Sequence, residues 1–72
     1  MTAIHEKFGK NLREQRNGVG LTQDALAHAC DVTRSEISLL ERSLRMPRLD
    51  TVVFLARGLG LSSPAELLDG IR

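Results

Sequence analysis

Apolar residues recur along this chain at helical spacing. Ile4, Phe8 and Leu12 fall at i, i+4 and i+8, a stripe down one face of a helix. A first helix is predicted over Ala3 to Arg16, broken by Asn17-Gly18-Val19-Gly20. An Asn-Gly pair can also mark a hairpin, but its flanks show no alternation, so the helical reading stands. Thr22 is an N-cap with Asp24 in the first turn behind it. The second helix then runs to about Cys30, with Leu26, Ala27 and Cys30 inward. Asp31 and Val32 form a tight turn, since Asp tolerates the left-handed backbone better than most residues.

Thr33-Arg34-Ser35-Glu36 has the form of a capping box. A third helix is predicted from it to about Ser43, with Ile37, Leu40, Glu41 and Leu44 on the inner face. Met46-Pro47 discourages any further extension. Arg48-Leu49-Asp50 opens a fourth helix with Leu49, Val52, Val53, Ala56 and Leu59 inward and Gly60 as its C-terminal stop. Ser63-Pro64-Ala65-Glu66 repeats the capping box, with Pro at the first helical position, and predicts a fifth helix from Pro64 to about Asp69. The pattern is all-α: five helices in one domain over residues 1–72, with no repeat or linker.

Composition narrows the function. The chain has 72 residues and is 42% hydrophobic. A domain near this size buries only about 60% of its unfolded surface, so the core must be compact or a partner must complete it. A single cysteine allows neither an internal disulfide nor a Cys-based zinc site. The longest apolar run, Val52 to Ala56, is far short of the roughly 20 residues that span a membrane. The opening MTAIHEK carries no long apolar region, so no secretory leader is expected and a reduced, cytoplasmic setting follows. Phe8 and Phe54 are the only aromatics, which disfavours single-stranded nucleic acid, where bases stack on aromatic rings. Net charge is +1 and by itself points to no partner. Its distribution says more. Residues 1–48 carry eight basic and six acidic side chains, whereas residues 49–72 carry two and three.

His5 and His28 stand apart from any ligand set. Asp24 and His28 share a helix face, but two groups make neither a triad nor a metal site. Cys30 reads as a small buried hydrophobe. Gly18-Val19-Gly20 lacks the strand context of a nucleotide-binding loop. No catalytic residues, metal or cofactor are expected, and the chain is not read as an enzyme.

The informative feature is the helix pair around Asp31. Two short helices joined by a tight turn form a helix-turn-helix. Ala27 supplies the small residue at the crossing, Asp31 the turn, and Ile37 and Leu40 the inward face of the second helix. The opposite face carries Arg34, Ser35, Ser38, Leu39 and Arg42. Taken together, Arg16, Leu21-Thr22-Gln23, Leu26-Ala27, Ile37-Ser38, Leu40-Glu41-Arg42 and Pro47 resemble the lambda-repressor-like helix-turn-helix family. That family includes phage repressors, xenobiotic-response-element-type regulators and restriction-modification controller proteins. The likeness covers about residues 8 to 68, and ERSLRMP resembles the controllers' segment after the recognition helix. Two departures stand out. Asp31 and Ser43 occupy positions where the family often has Gly.

The resemblance implies a regulator that binds double-stranded DNA, with the third helix in the major groove. Arg34, Ser35, Ser38 and Leu39 are then the base-contact candidates. Arg34 can bond guanine O6 and N7 in bidentate fashion, and Leu39 can touch a thymine methyl. Thr22, Gln23, Thr33, Arg42, Ser43, Arg45 and Arg48 are candidates for the DNA backbone or minor groove, Gln23 together with the amides at the start of the second helix. Family members often join the positions of Arg16 and Glu41 by a structural ion pair. One recognition helix reads only half a useful site, so a homodimer on a near-palindromic operator is expected. Phe54, Leu61, Leu67, Leu68 and Ile71 are its interface candidates, with residues 61–72 contributing. Such a dimer would block or recruit RNA polymerase. Two other functions remain open: an antitoxin whose main partner is a toxin protein, and an interaction module that has lost DNA binding.

Overall fold

The structure, a computed structural model, describes residues 3–71. Met1, Thr2 and Arg72, which the 1–72 assignment includes, lie outside them. Four α-helices follow one another: α1 (Ile4–Gly18), α2 (Gln23–Cys30), α3 (Arg34–Glu41) and α4 (Leu49–Gly58). A short 3₁₀ segment, Pro64–Leu68, comes last. It replaces the predicted fifth α-helix and stops before Asp69. Five residues closed by proline at one end make too short a run to propagate α-helix on their own. The Ser63 hydroxyl accepts from Ala65 N at 3.1 Å, while Glu66 Oε2 accepts from Ser62 N and Oγ. The predicted reciprocal box is therefore displaced by one residue.

Thr22 and Thr33 each accept a hydrogen bond from the amide three residues on, Ala25 N at 3.0 Å and Glu36 N at 3.1 Å. These caps satisfy donors that the first turns of α2 and α3 leave open. The box at Thr33 is only half formed, because Glu36 turns to Arg45 instead.

All four helices stop in the same way. The backbone turns left-handed just past the helix, and two amides reach back to its last carbonyls. Gly20 and Gly60 hold this position after α1 and α4, with φ of 75° and 73°. Asp31 (φ 57°) and Ser43 (φ 61°) hold it after α2 and α3, with Val32 N donating to Ala27 O at 3.0 Å and Leu44 N to Leu39 O at 2.9 Å. They are the two non-glycine residues with positive φ among those described.

The stop at Ser43 explains one failed expectation. The chain leaves the helix before Leu44, whose side chain is exposed rather than inward. Leu49 is a second case, 81% exposed. On α4 the inner stripe is Val52, Leu55, Ala56 and Leu59, and Leu49 begins the opposite stripe. Leu55 is a fully buried residue the sequence reading passed over, and Val53 is only half-buried. Ile4 is half exposed at the open end of α1, and α1 itself runs two residues past Arg16.

One cluster joins the elements: Phe8, Leu12, Leu26, Ala27, Cys30, Ile37, Leu40, Val52, Leu55, Ala56, Leu59 and Leu67. Leu67 was expected at a dimer surface, yet it is fully enclosed and has no surface left for a partner. Asn11 fixes this C-terminal segment, its amide donating to Leu67 O and Asp69 O, both at 2.9 Å. α1 comes close to α3 at Gly9. A Cβ there would lie 2.5 Å from Leu40 O and 2.9 Å from Ser43 Oγ. No helix among the described residues is long and apolar enough to cross a membrane.

Candidate nucleic-acid interface

α2 and α3 pack through Ala27, Ile37 and Leu40, which leaves the far side of α3 facing outward. Arg34, Ser35 and Arg42 are exposed there, and Ser38 and Leu39 are half-buried. With Gln23 from the start of α2 they line one open hollow. The four base-contact candidates thus come together on a single surface, with Gln23 and Arg42 at its edges.

The other backbone-contact candidates separate. The Thr22 and Thr33 hydroxyls serve as helix caps but remain exposed. Ser43 places its hydroxyl over Gly9 of α1, away from the hollow. Arg45 Nη1 donates to Glu36 Oε1 at 2.5 Å. Arg48 Nη2 donates to Asp50 Oδ2 at 3.2 Å and lies beside a different hollow, on α4.

The inner end of α3 is tied down by charge. Glu41 is 3% exposed. Arg16 Nε donates to its Oε2 at 2.6 Å and Arg16 Nη2 to its Oε1 at 3.0 Å, a bidentate pair between α1 and α3. The remaining Arg16 nitrogen, Nη1, donates to Leu21 O at 2.8 Å and holds the loop into α2. The hydrogen bond to Glu41 holds the Arg16 guanidinium further above its already high range, against the opposing effect of burial. Gln23 Nε2 donates to Glu41 Oε1 at 3.2 Å, and Arg13 Nη2 donates to Glu41 O at 2.9 Å. The sequence reading missed Arg13, although it lies one turn before Arg16 on the same face of α1. No buried side-chain polar atom among the described residues lacks a partner. The desolvation cost of such a buried network is offset only when its members are fully hydrogen-bonded, and the completed network fixes the angle of α3 against the other helices.

Two further acidic partners went unread in the sequence. Asp24 Oδ1 lies 3.6 Å from Arg34 Nε, and Glu36 holds Arg45. Cys30 is buried, its Sγ 3.9 Å from Leu55 O. Burial raises its thiol pKa, and a hydrogen bond from the Gly58 backbone partly offsets the rise.

A compact helix pair with a free outer face on its second member defines a class, and the helix-turn-helix family model matches residues 12–67. The chain belongs to the helix-turn-helix family and is a DNA-binding regulator rather than an enzyme. Its relatives include the control protein C.BamHI of Bacillus amyloliquefaciens, 36% identical over 63 residues, or 86% of this chain and 76% of that one. The control protein C.SmaI of Serratia marcescens is 36% identical over 64 residues, or 89% and 76%. Among solved structures, the restriction-modification controller protein C.AhdI from Aeromonas hydrophila superposes with a TM-score of 0.84 at 38% identity, covering 88% of this chain and 94% of that one. The family resemblance read from the sequence is therefore borne out.

Proposed function

We propose that this regulator acts as a homodimer on a near-palindromic operator and controls restriction-modification genes, as its relatives' names suggest. The observation that carries the reading is the outward hollow of α3, where Arg34, Ser35, Ser38 and Leu39 are held on a helix but not consumed by the fold. Arg34 takes a guanine, Leu39 a thymine methyl, and the serines reach bases or phosphates. Gln23 and the first amides of α2 approach one phosphate, and Arg42 another. Arg45 and Arg48 add charge on the same half of the chain. Occupancy then blocks or recruits RNA polymerase by position.

We place the dimer surface on the outer face of α4, around Phe54 of the expected set. Phe54 and Leu68 are about 40% exposed, while Leu61 and Ile71 pack partly against the core. The outer face of α4 adds Leu49 and Val53, lining a second hollow with Arg48, Asp50, Phe54 and Arg57. Asp50, Val53, Phe54 and Arg57 fall at i, i+3, i+4 and i+7, on one face. An antiparallel copy with its two-fold axis between Val53 and Phe54 sets Asp50 opposite Arg57 twice and apolar against apolar between. Such a patch is complementary to itself.

Selection of bound duplexes from a random pool tests the reading. An inverted repeat is the expected product. A single unrepeated site would remove the dimer, and failure to enrich any duplex would remove DNA readout. For the α4 patch, Phe54→Asp should shift the sedimenting species to monomer. Asp50→Arg with Arg57→Asp should keep the dimer, where either change alone weakens it.

A further inference from the structure

Arg34 is exposed on the first turn of α3, its side chain 66% accessible. A long cationic side chain so placed has many rotamers, and freezing one costs free energy on binding. Arg34 makes no hydrogen bond among the described residues, but one carboxylate stands beside it. Asp24 Oδ1, on the first turn of α2, approaches through Nε at 3.6 Å. The closest approach is through Nε, and no hydrogen bond among the described residues occupies the Nη1 and Nη2 fork. That fork is the edge that pairs with guanine O6 and N7. Asp24 is itself 73% accessible and holds nothing else among the described residues, so it is not placed there to build the core.

Asp24 also stands next to Gln23, where a phosphate is expected at the start of α2. A carboxylate there repels the DNA backbone and lowers affinity for any duplex alike. It therefore opposes general binding while favouring one rotamer of the base-reading arginine. The second effect raises the ratio of specific to non-specific binding, whereas the first, acting on every duplex alike, leaves the ratio unchanged.

We propose that Asp24 is a positioning residue for Arg34 and a determinant of DNA specificity. The proposal rests on the reading of α3 as the base-contacting helix. Its test compares wild type, Asp24→Asn, Asp24→Glu and Arg34→Ala on a duplex selected by the wild type and on a scrambled duplex. Asp24→Asn should bind the scrambled duplex more tightly. Its specific-to-scrambled ratio should fall by about two- to fivefold, the most that a weak exposed pair can contribute by favouring one rotamer. In a single-base substitution series, the base pair whose identity ceases to matter should be the one relaxed by Arg34→Ala. Asp24→Glu, which keeps the charge, should restore most of the ratio. A surface pair this exposed adds little to folding, so the thermal midpoint should barely move. A ratio within twofold of wild type for Asp24→Asn, or relaxation at a base pair other than the Arg34 one, overturns the proposal. If the wild type enriches no duplex, the DNA reading itself fails and the proposal falls with it.

Discussion

The two ends of α3 use charge in opposite ways. At the inner end Glu41 is buried and receives Arg16 twice, Gln23 once and, at its carbonyl, Arg13. At the outer end Arg34 is exposed beside one loosely placed carboxylate. In the first place no buried side-chain polar atom is left without a partner among the described residues, and the geometry is fixed. In the second most donors are left over. A charged group whose hydrogen bonds are spent inside the molecule serves the fold, and one whose bonds remain open is available to a ligand.

The largest expected effect breaks the inner end. Glu41→Ala strands the Arg16 guanidinium in a site only 14% exposed and should cost about 3–5 kcal/mol of stability, read as a drop in urea midpoint. If the loss is under about 1 kcal/mol, the network does not hold α3. At the outer end, Arg34→Ala should leave the urea midpoint unchanged and weaken operator binding by about 1–3 kcal/mol, with one base position relaxed in a titration series. Should Arg34→Ala destabilise the fold as much as Glu41→Ala does, the contrast between the two ends is lost.

The junction between them offers a smaller, favourable change. Ser43 holds a left-handed conformation with φ of 61°, which costs a non-glycine residue about 1 kcal/mol or more. Ser43→Gly should raise stability by about 1 kcal/mol, less the extra chain entropy of glycine, in a thermal melt. An unchanged or lowered midpoint would show that the Ser43 hydroxyl over Gly9 offsets the strain.

The smallest effect concerns Cys30. Its folded thiol pKa is raised, so the folded state keeps its proton longer than the unfolded chain. The stabilisation is present in full below the unfolded pKa of about 8.5 and fades as pH rises above it. Stability should fall in that range less in Cys30→Ala than in wild type, and the thiol should resist alkylation at neutral pH until the protein unfolds.

Helix positions were legible because they rest on local rules. Thr22 and Thr33 cap through their own side chains, and Asp31 tolerates a left-handed turn by its own chemistry, so neighbours in sequence suffice. The helix-turn-helix was legible because its demands, a small residue at the crossing and a turn former between two apolar stripes, fall within about 20 residues. The last helix failed because its five residues become α or 3₁₀ according to what they dock against, here Asn11 and the core around Leu67.

The chain alone thus determined where the four α-helices lie and which family they compose, since capping, turn geometry and 3.6-residue periodicity act over a few residues. It did not determine which apolar residues stay outside. Leu44, Leu49 and Leu67 have the same side chain, and only packing separates the enclosed one from the two exposed. Nor did it assign partners to the charges: Asp24 to Arg34, Arg13 to Glu41 and Glu36 to Arg45 are 10, 28 and 9 residues apart. The first two pairs exist because the angle between helices brings them together, and that angle is set by the whole core at once; the third forms where the chain folds back on α3 after its left-handed stop at Ser43.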